Sequence, residues 1–156
     1  MPQNPSLPQQ AVDFFLQGYN CSQAVAAAFA PKMGLTAQQA AKIVSALGGG
    51  LCRMRETCGA VTGGMAVLGM VAGYGDPADT AGKTQLYIRG QRVMRAFRAL
   101  HGSLNCREIL HLSPDENADP IPTPRTAEFY RTRPCARVIY DLARLLEEEL
   151  NDPKKG

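Results

Sequence analysis

Four of the five cysteines share a setting suited to redox or metal chemistry. Cys21 and Cys106 stand in Asn20-Cys21-Ser22-Gln23 and Asn105-Cys106-Arg107-Glu108. In this pattern Asn caps a helix, and Gln or Glu three places on completes a capping box. Cys58 follows Thr57, another capping residue type, and Cys135 follows Pro134, a residue favoured in the first turn. A helix start presents unpaired N–H groups and a partial positive charge. Both favour the thiolate, the form that attacks disulfides and ligates metals. Accessible thiols at Cys21, Cys58 and Cys106 are therefore expected to ionise below the usual value of about 8.5. A lone cysteine in a helical pattern is more often a small buried hydrophobe. Four at equivalent helix starts point instead to a shared site and predict that their sulfurs converge.

Cys52 differs, lying in Gly48-Gly49-Gly50-Leu51-Cys52-Arg53 without a cap signal. Pairing with Cys58, resolution of a mixed disulfide and no role at all are open to it. His101 and His111 read as helix-end or surface residues rather than ligands. Arg53 and Arg55, just before Cys58, are placed to hold a thiolate or an anionic substrate, although a loop salt bridge with Glu56 is the plainer expectation. Cys-x-x-Cys is absent, which argues against a thioredoxin-type motif and an ordinary zinc ribbon.

The elements carrying these residues read as helices. Residues 9–17 suit a first helix with Val12, Phe15 and Leu16 inward and Gly18 as its stop; a second opens at Cys21 and ends at Pro31. A third runs from Thr36 to Gly48-Gly49-Gly50. A fourth follows Cys58 with Val61, Met65, Leu68 and Ala72 at helical spacing. Gly59 and Gly63 give it a small-residue face that another helix can approach. Residues 78–100 carry Leu86, Gly90, Val93, Phe97 and Leu100 at 3-4 spacing. A short helix from Cys106 reaches Leu110. Residues 113–124, with four prolines, form an irregular connection, and a last helix spans residues 134–150 with Val138, Leu142, Leu145 and Leu146 apolar. Without any alternating strand pattern, the expected fold is all-α, a compact multi-helix bundle with its cysteines at helix N-termini. Residues 1–8 read as a flexible arm, 9–150 as a single domain and 151–156 as a tail.

A chain of 156 residues can bury a core without disulfide support. No run of about 18 apolar residues occurs, so membrane insertion is not expected. The start Met1-Pro2-Gln3-Asn4-Pro5 lacks a basic and apolar leader pattern, which points to the cytoplasm. There, five cysteines stay reduced unless used for metal or redox chemistry. A net charge of +3 is too small to suggest nucleic acid, and Arg89, Arg92, Arg95 and Arg98 read as a solvated helix face. The expected partner is a redox protein, with a homodimer also allowed.

The segments Gly18-Tyr19-Asn20-Cys21-Ser22-Gln23-Ala24, Gly48-Gly49-Gly50, Arg53-Met54, Glu56-Thr57-Cys58-Gly59-Ala60-Val61-Thr62-Gly63 and Asn105-Cys106-Arg107-Glu108-Ile109-Leu110, with the late Cys135, resemble the redox-active proteins named for a C…GCAxxG…C…C signature. The resemblance covers residues 9–150. It implies that Cys21, Cys58, Cys106 and Cys135 are the family's four cysteines, acting as catalytic thiols or metal ligands. It also places Gly59 and Gly63 in the cofactor-binding signature. This chain has an additional glycine after Cys58, and Cys52 stands outside the pattern. The resemblance implies a small oxidoreductase or electron carrier with an iron–sulfur cluster on the four cysteines. A metal-free thiol–disulfide protein and a structural zinc-binding or interaction module remain the alternatives.

Overall fold

Side-chain caps start most helices of the computed structural model, which describes residues 4–152. Ser6 caps α1 (Leu7–Leu16), Asn20 caps α2 (Cys21–Met33) and Thr36 caps α3 (Ala37–Ile43), each side chain accepting a backbone N–H three residues on. Asp79, Asn105 and Thr126 do the same for α5 (Thr80–His101), α6 (Cys106–Ile109) and α7 (Ala127–Thr132). Only α4 (Gly59–Ala72) and α8 (Cys135–Asn151) begin without such a bond, at Cys58 and Pro134. A 3-10 turn, Ser45–Leu47, follows α3. Among the described residues there is no strand, only an isolated antiparallel bridge between Thr57 and Asn105. The fold is all-α.

The central helix is α2, whose residues Ala24–Ala30 are almost wholly removed from solvent. It packs on α1, α3, α4 and α8, and its alanines let these neighbours come close. At the α2–α4 crossing, a Cβ on Gly63 would lie 2.7 Å from the Ser22 carbonyl oxygen, so any larger residue forces the helices apart. Phe29, Leu68, Phe97, Ile139, Leu142 and Leu146 fill the remaining core. Burying each contributes about 1.5–3 kcal/mol.

Some expected boundaries shift. The first helix takes in Leu7 and Pro8, expected in the arm; residues 1–3 and 153–156 lie outside the described residues. The second continues through Pro31 to Met33, because a proline this near the end removes only its own N–H bond. Leu16 and Leu100, expected inward, are about half exposed at 52% and 53%. The arginine row of α5 is only partly solvated. Glu149 of α8 is 2% exposed, and Arg92 Nη1 donates to both its carboxylate oxygens at 2.9 Å. Arg89 Nη2 donates to the Glu149 carbonyl at 2.7 Å. A three-residue step drifts around the helix, which turns Arg89 and Arg92 toward α8 while Arg95 and Arg98 stay exposed. No helix among the described residues is long and apolar enough to cross a membrane.

Candidate functional site

The N-termini of α2, α4, α6 and α8 open onto one cavity of about 560 Å³, lined by Cys21, Cys58, Cys106 and Cys135. All five cysteines are free thiols, and Cys52 borders the same space. The predicted convergence is therefore present. Cys58 and Cys106 are aligned by two short segments running antiparallel. Cys58 N donates to the Leu104 carbonyl at 2.8 Å and Cys106 N to the Glu56 carbonyl at 2.6 Å. This pairing occupies Thr57, so Cys58 itself, not Thr57, is the N-cap of α4.

Cys21 is fixed from two sides. Asn20 Oδ1 accepts from Gln23 N at 2.9 Å, Gln23 Oε1 accepts from Asn20 N at 3.1 Å, and Asn20 Nδ2 reaches the Ser45 carbonyl at 3.1 Å. Its sulfur then lies over Gly59, where a Cβ would come within 2.4 Å of Cys21 Sγ. The glycine after Cys58 is thus the residue that admits the Cys21 sulfur beside it. Gly59 lines the cavity, whereas Gly63 lies one turn on, against Ser22. At Asn105 the cap holds, with Oδ1 accepting from Glu108 N at 3.2 Å, but the box does not close directly. Ser103 Oγ intervenes, donating to Glu108 and accepting from Asn105 N at 2.9 Å.

Between α3 and α4 the backbone turns left-handed at Gly49, Gly50, Leu51, Cys52 and Arg53 in succession, and again at Arg55. For the non-glycine members this conformation costs on the order of 1–2 kcal/mol each. Backbone bonds hold it, among them Cys52 N to the Ala46 carbonyl at 2.8 Å and Glu56 N to the Gly50 carbonyl at 2.8 Å. The turn aims both arginines across the cavity. Arg53 donates to the Asp119 carbonyl and to Thr123 Oγ1, the latter at 2.8 Å. Arg55, only 6% exposed, donates to the Asn117 carbonyl at 3.0 Å and to Cys106 Sγ at 3.7 Å. The expected loop salt bridge with Glu56 gives way to these contacts, so the 117–123 stretch is drawn over the thiols as a strap.

Burial controls the thiols. It pushes Cys21 up and Cys58 well up from the usual range, and Cys135 up to about 12. Neighbouring sulfurs add to the rise, since each thiolate discourages the next. Helix-start N–H groups oppose it, Ser22 at Cys21 and Ala60 and Val61 at Cys58, without prevailing. The expectation of acidic thiols at Cys21 and Cys58 is therefore corrected, because the same packing that gathers the helix ends excludes the water a thiolate needs.

Four guanidiniums, Arg53, Arg55, Arg125 and Arg133, line the cavity, and among the described residues no Asp or Glu does. Arg133 precedes Cys135 by two residues, a proximity visible in the sequence but not singled out there. Arg125 gives no local signal, because its position depends on α7 docking against α1. Neither histidine lines the cavity; His101 pairs with Asp141 at 3.0 Å. Among the described residues no three His, Cys, Asp or Glu side chains are disposed to close on a metal ion.

Residues 19–149 match a family model described as "Putative redox-active protein (C_GCAxxG_C_C)". No curated protein and no solved structure matches the chain.

Proposed function

Because the chain belongs to the C_GCAxxG_C_C family of redox-active proteins, we propose that it holds an iron–sulfur cluster on Cys21, Cys58, Cys106 and Cys135 and exchanges electrons with a partner protein. One observation carries this reading: four thiols from four helix starts face a cavity with four arginines and, among the described residues, no carboxylate. A cluster ligated by four thiolates is an anion, and both helix N-termini and guanidiniums favour negative charge.

Bound there, such a group would supply one-electron chemistry. The chain's own residues would hold and tune it. The thiols of Cys21, Cys58 and Cys135, pushed up by burial, stay protonated without a metal and would release those protons on ligation. Arg55 is placed to neutralise charge on the Cys106 sulfur, and hydrogen bonds to ligating sulfurs tune reduction potential. The strap drawn over by Arg53 and Arg55 limits access of water. Anaerobic purification followed by iron, sulfide and zinc analysis and an absorption spectrum tests the proposal. Iron with sulfide and visible charge-transfer bands is expected. Both should be lost in Cys21→Ser and Cys58→Ser while far-UV helicity remains. Zinc without colour would replace this reading with a structural metal site.

A second reading, thiol–disulfide exchange without metal, draws support from Cys52. It is exposed, held in left-handed backbone and borders the same cavity, where a resolving thiol would be needed. Colourless metal-free protein whose thiols cycle reversibly between oxidised and reduced forms would favour it.

A further inference from the structure

We infer that the thiol cavity also receives a small organic anion, a carboxylate or phosphate on an apolar body, with Arg133 as its anchor. As the substrate class of the redox site this rests on the reading above, but the binding step does not require a cluster.

Three of the four cavity arginines are already committed to the protein. Arg125 donates to the Phe15 and Tyr19 carbonyls, both at 3.0 Å, and packs on the Phe15 ring. Arg53 and Arg55 hold the strap, as described. Arg133 is different. Its guanidinium lies 5.3 Å from the Phe129 ring centroid, and among the described residues it has neither a carboxylate nor a hydrogen-bond acceptor. Five donors therefore remain for a ligand, in the fork geometry that matches carboxylate and phosphate oxygens.

The surroundings call for negative charge. Arg53 stands near enough to Arg55 and Arg133 for their charges to oppose its own, and the one carboxylate that answers it, on Asp119, is 56% exposed. Like charges gathered in a partly desolvated space are unfavourable until an anion joins them. The rest of the lining selects for more than charge. Phe15, Ile109, Phe129 and Val138 present apolar surface, and the volume of about 560 Å³ falls within the range of about 300–1,000 Å³ usual for small-molecule sites. Such a volume suits a small molecule rather than a polymer. Since Arg133 and Cys135 share the cavity wall, an anion held on Arg133 places its body beside the sulfurs.

Calorimetric titration of the purified protein, kept anaerobic at low salt, tests this with four probes: benzoate, phenyl phosphate, benzyl alcohol and inorganic phosphate. At least one of the two aromatic anions should bind, and the better of them identifies carboxylate or phosphate as the preferred group. Benzyl alcohol should bind far more weakly. Arg133→Ala should weaken anion binding about tenfold to a hundredfold, as expected for a lost hydrogen-bonded ion pair. Arg133→Lys should recover part of that loss, and Arg137→Ala, on the exposed face of α8, should change nothing. Binding of benzyl alcohol as tight as that of the anions would overturn the proposal, as would an unaltered affinity in Arg133→Ala or failure of every probe. Inorganic phosphate binding as well as phenyl phosphate would overturn the apolar body. Iron and sulfide measured on the same sample keep the two readings apart. Colourless protein that binds phenyl phosphate removes the cluster and retains the anion; coloured protein that ignores every probe does the reverse.

Discussion

Burial and helix-end N–H groups pull on the same sulfurs in opposite directions. A helix terminus contributes about 0.3–1 kcal/mol, less than one pKa unit, whereas burial can move an ionisable group by up to 3–5 units. Hence the thiols of Cys21, Cys58 and Cys135 stay protonated near neutrality despite their favourable backbone positions. In reduced, metal-free protein, alkylation followed by peptide mass analysis should find exposed Cys52 modified first. Those three should follow only as the pH is raised, Cys135 toward about 12; their modification at neutral pH would show that the helix ends, not burial, control them. Gly59 carries a second expectation. Its replacement by Ala places a Cβ 2.4 Å from Cys21 Sγ, an overpacking that costs about 1–3 kcal/mol. Gly59→Ala should unfold at lower denaturant and, if a cluster is held there, bind less iron. Unchanged values of both would mean that the sulfur moves aside freely.

Helix starts were legible where the signal was local. Asn20 with Gln23 and Asn105 with Glu108 sit within four residues, and both Asn residues cap as read. Thr57 was misread because its partner, Asn105, is distant in sequence, and backbone pairing between them moved the cap to Cys58. The short helix α7 escaped notice because its six residues lie between the proline-rich connection ending at Pro124 and the last helix opening at Pro134. The left-handed turn was illegible for another reason: Leu51, Cys52 and Arg53 have no preference for that conformation, which exists because surrounding hydrogen bonds impose it. The turn and the strap depend on each other through Arg53. Arg53→Ala should expose residues 117–123 and speed their cleavage by a nonspecific protease several-fold, with helicity unchanged. Equal cleavage rates would show that Arg55, which donates to the Asn117 carbonyl, holds the segment without Arg53.

The bundle as a whole was read correctly as all-α, and so was the meeting of its four cysteine-bearing ends. Its electrostatics were not, because the cavity's cationic lining and the buried Glu149 arise from contacts between distant helices. The desolvated thiols of Cys21, Cys58 and Cys135 give the metal-free protein a pH-dependent stability whose sign is fixed. Above about pH 8.5 an unfolded chain releases its thiol protons, whereas the folded, reduced, metal-free protein retains those of Cys21, Cys58 and Cys135. The folded state then binds more protons than the unfolded, so stability falls as pH rises. The contribution is fully present below about pH 8.5. For Cys135 it is lost progressively up to about pH 12. Each thiol adds a slope of up to about 1.4 kcal/mol per pH unit in this window. Denaturant unfolding between pH 8 and pH 9.5 should show a falling midpoint, and Cys135→Ser should flatten it. Metal loading should reverse the trend, because ligation expels the same protons and becomes more favourable as pH rises. A midpoint independent of pH in the empty protein would mean that the folded thiols ionise as unfolded ones do, and that burial does not govern the site.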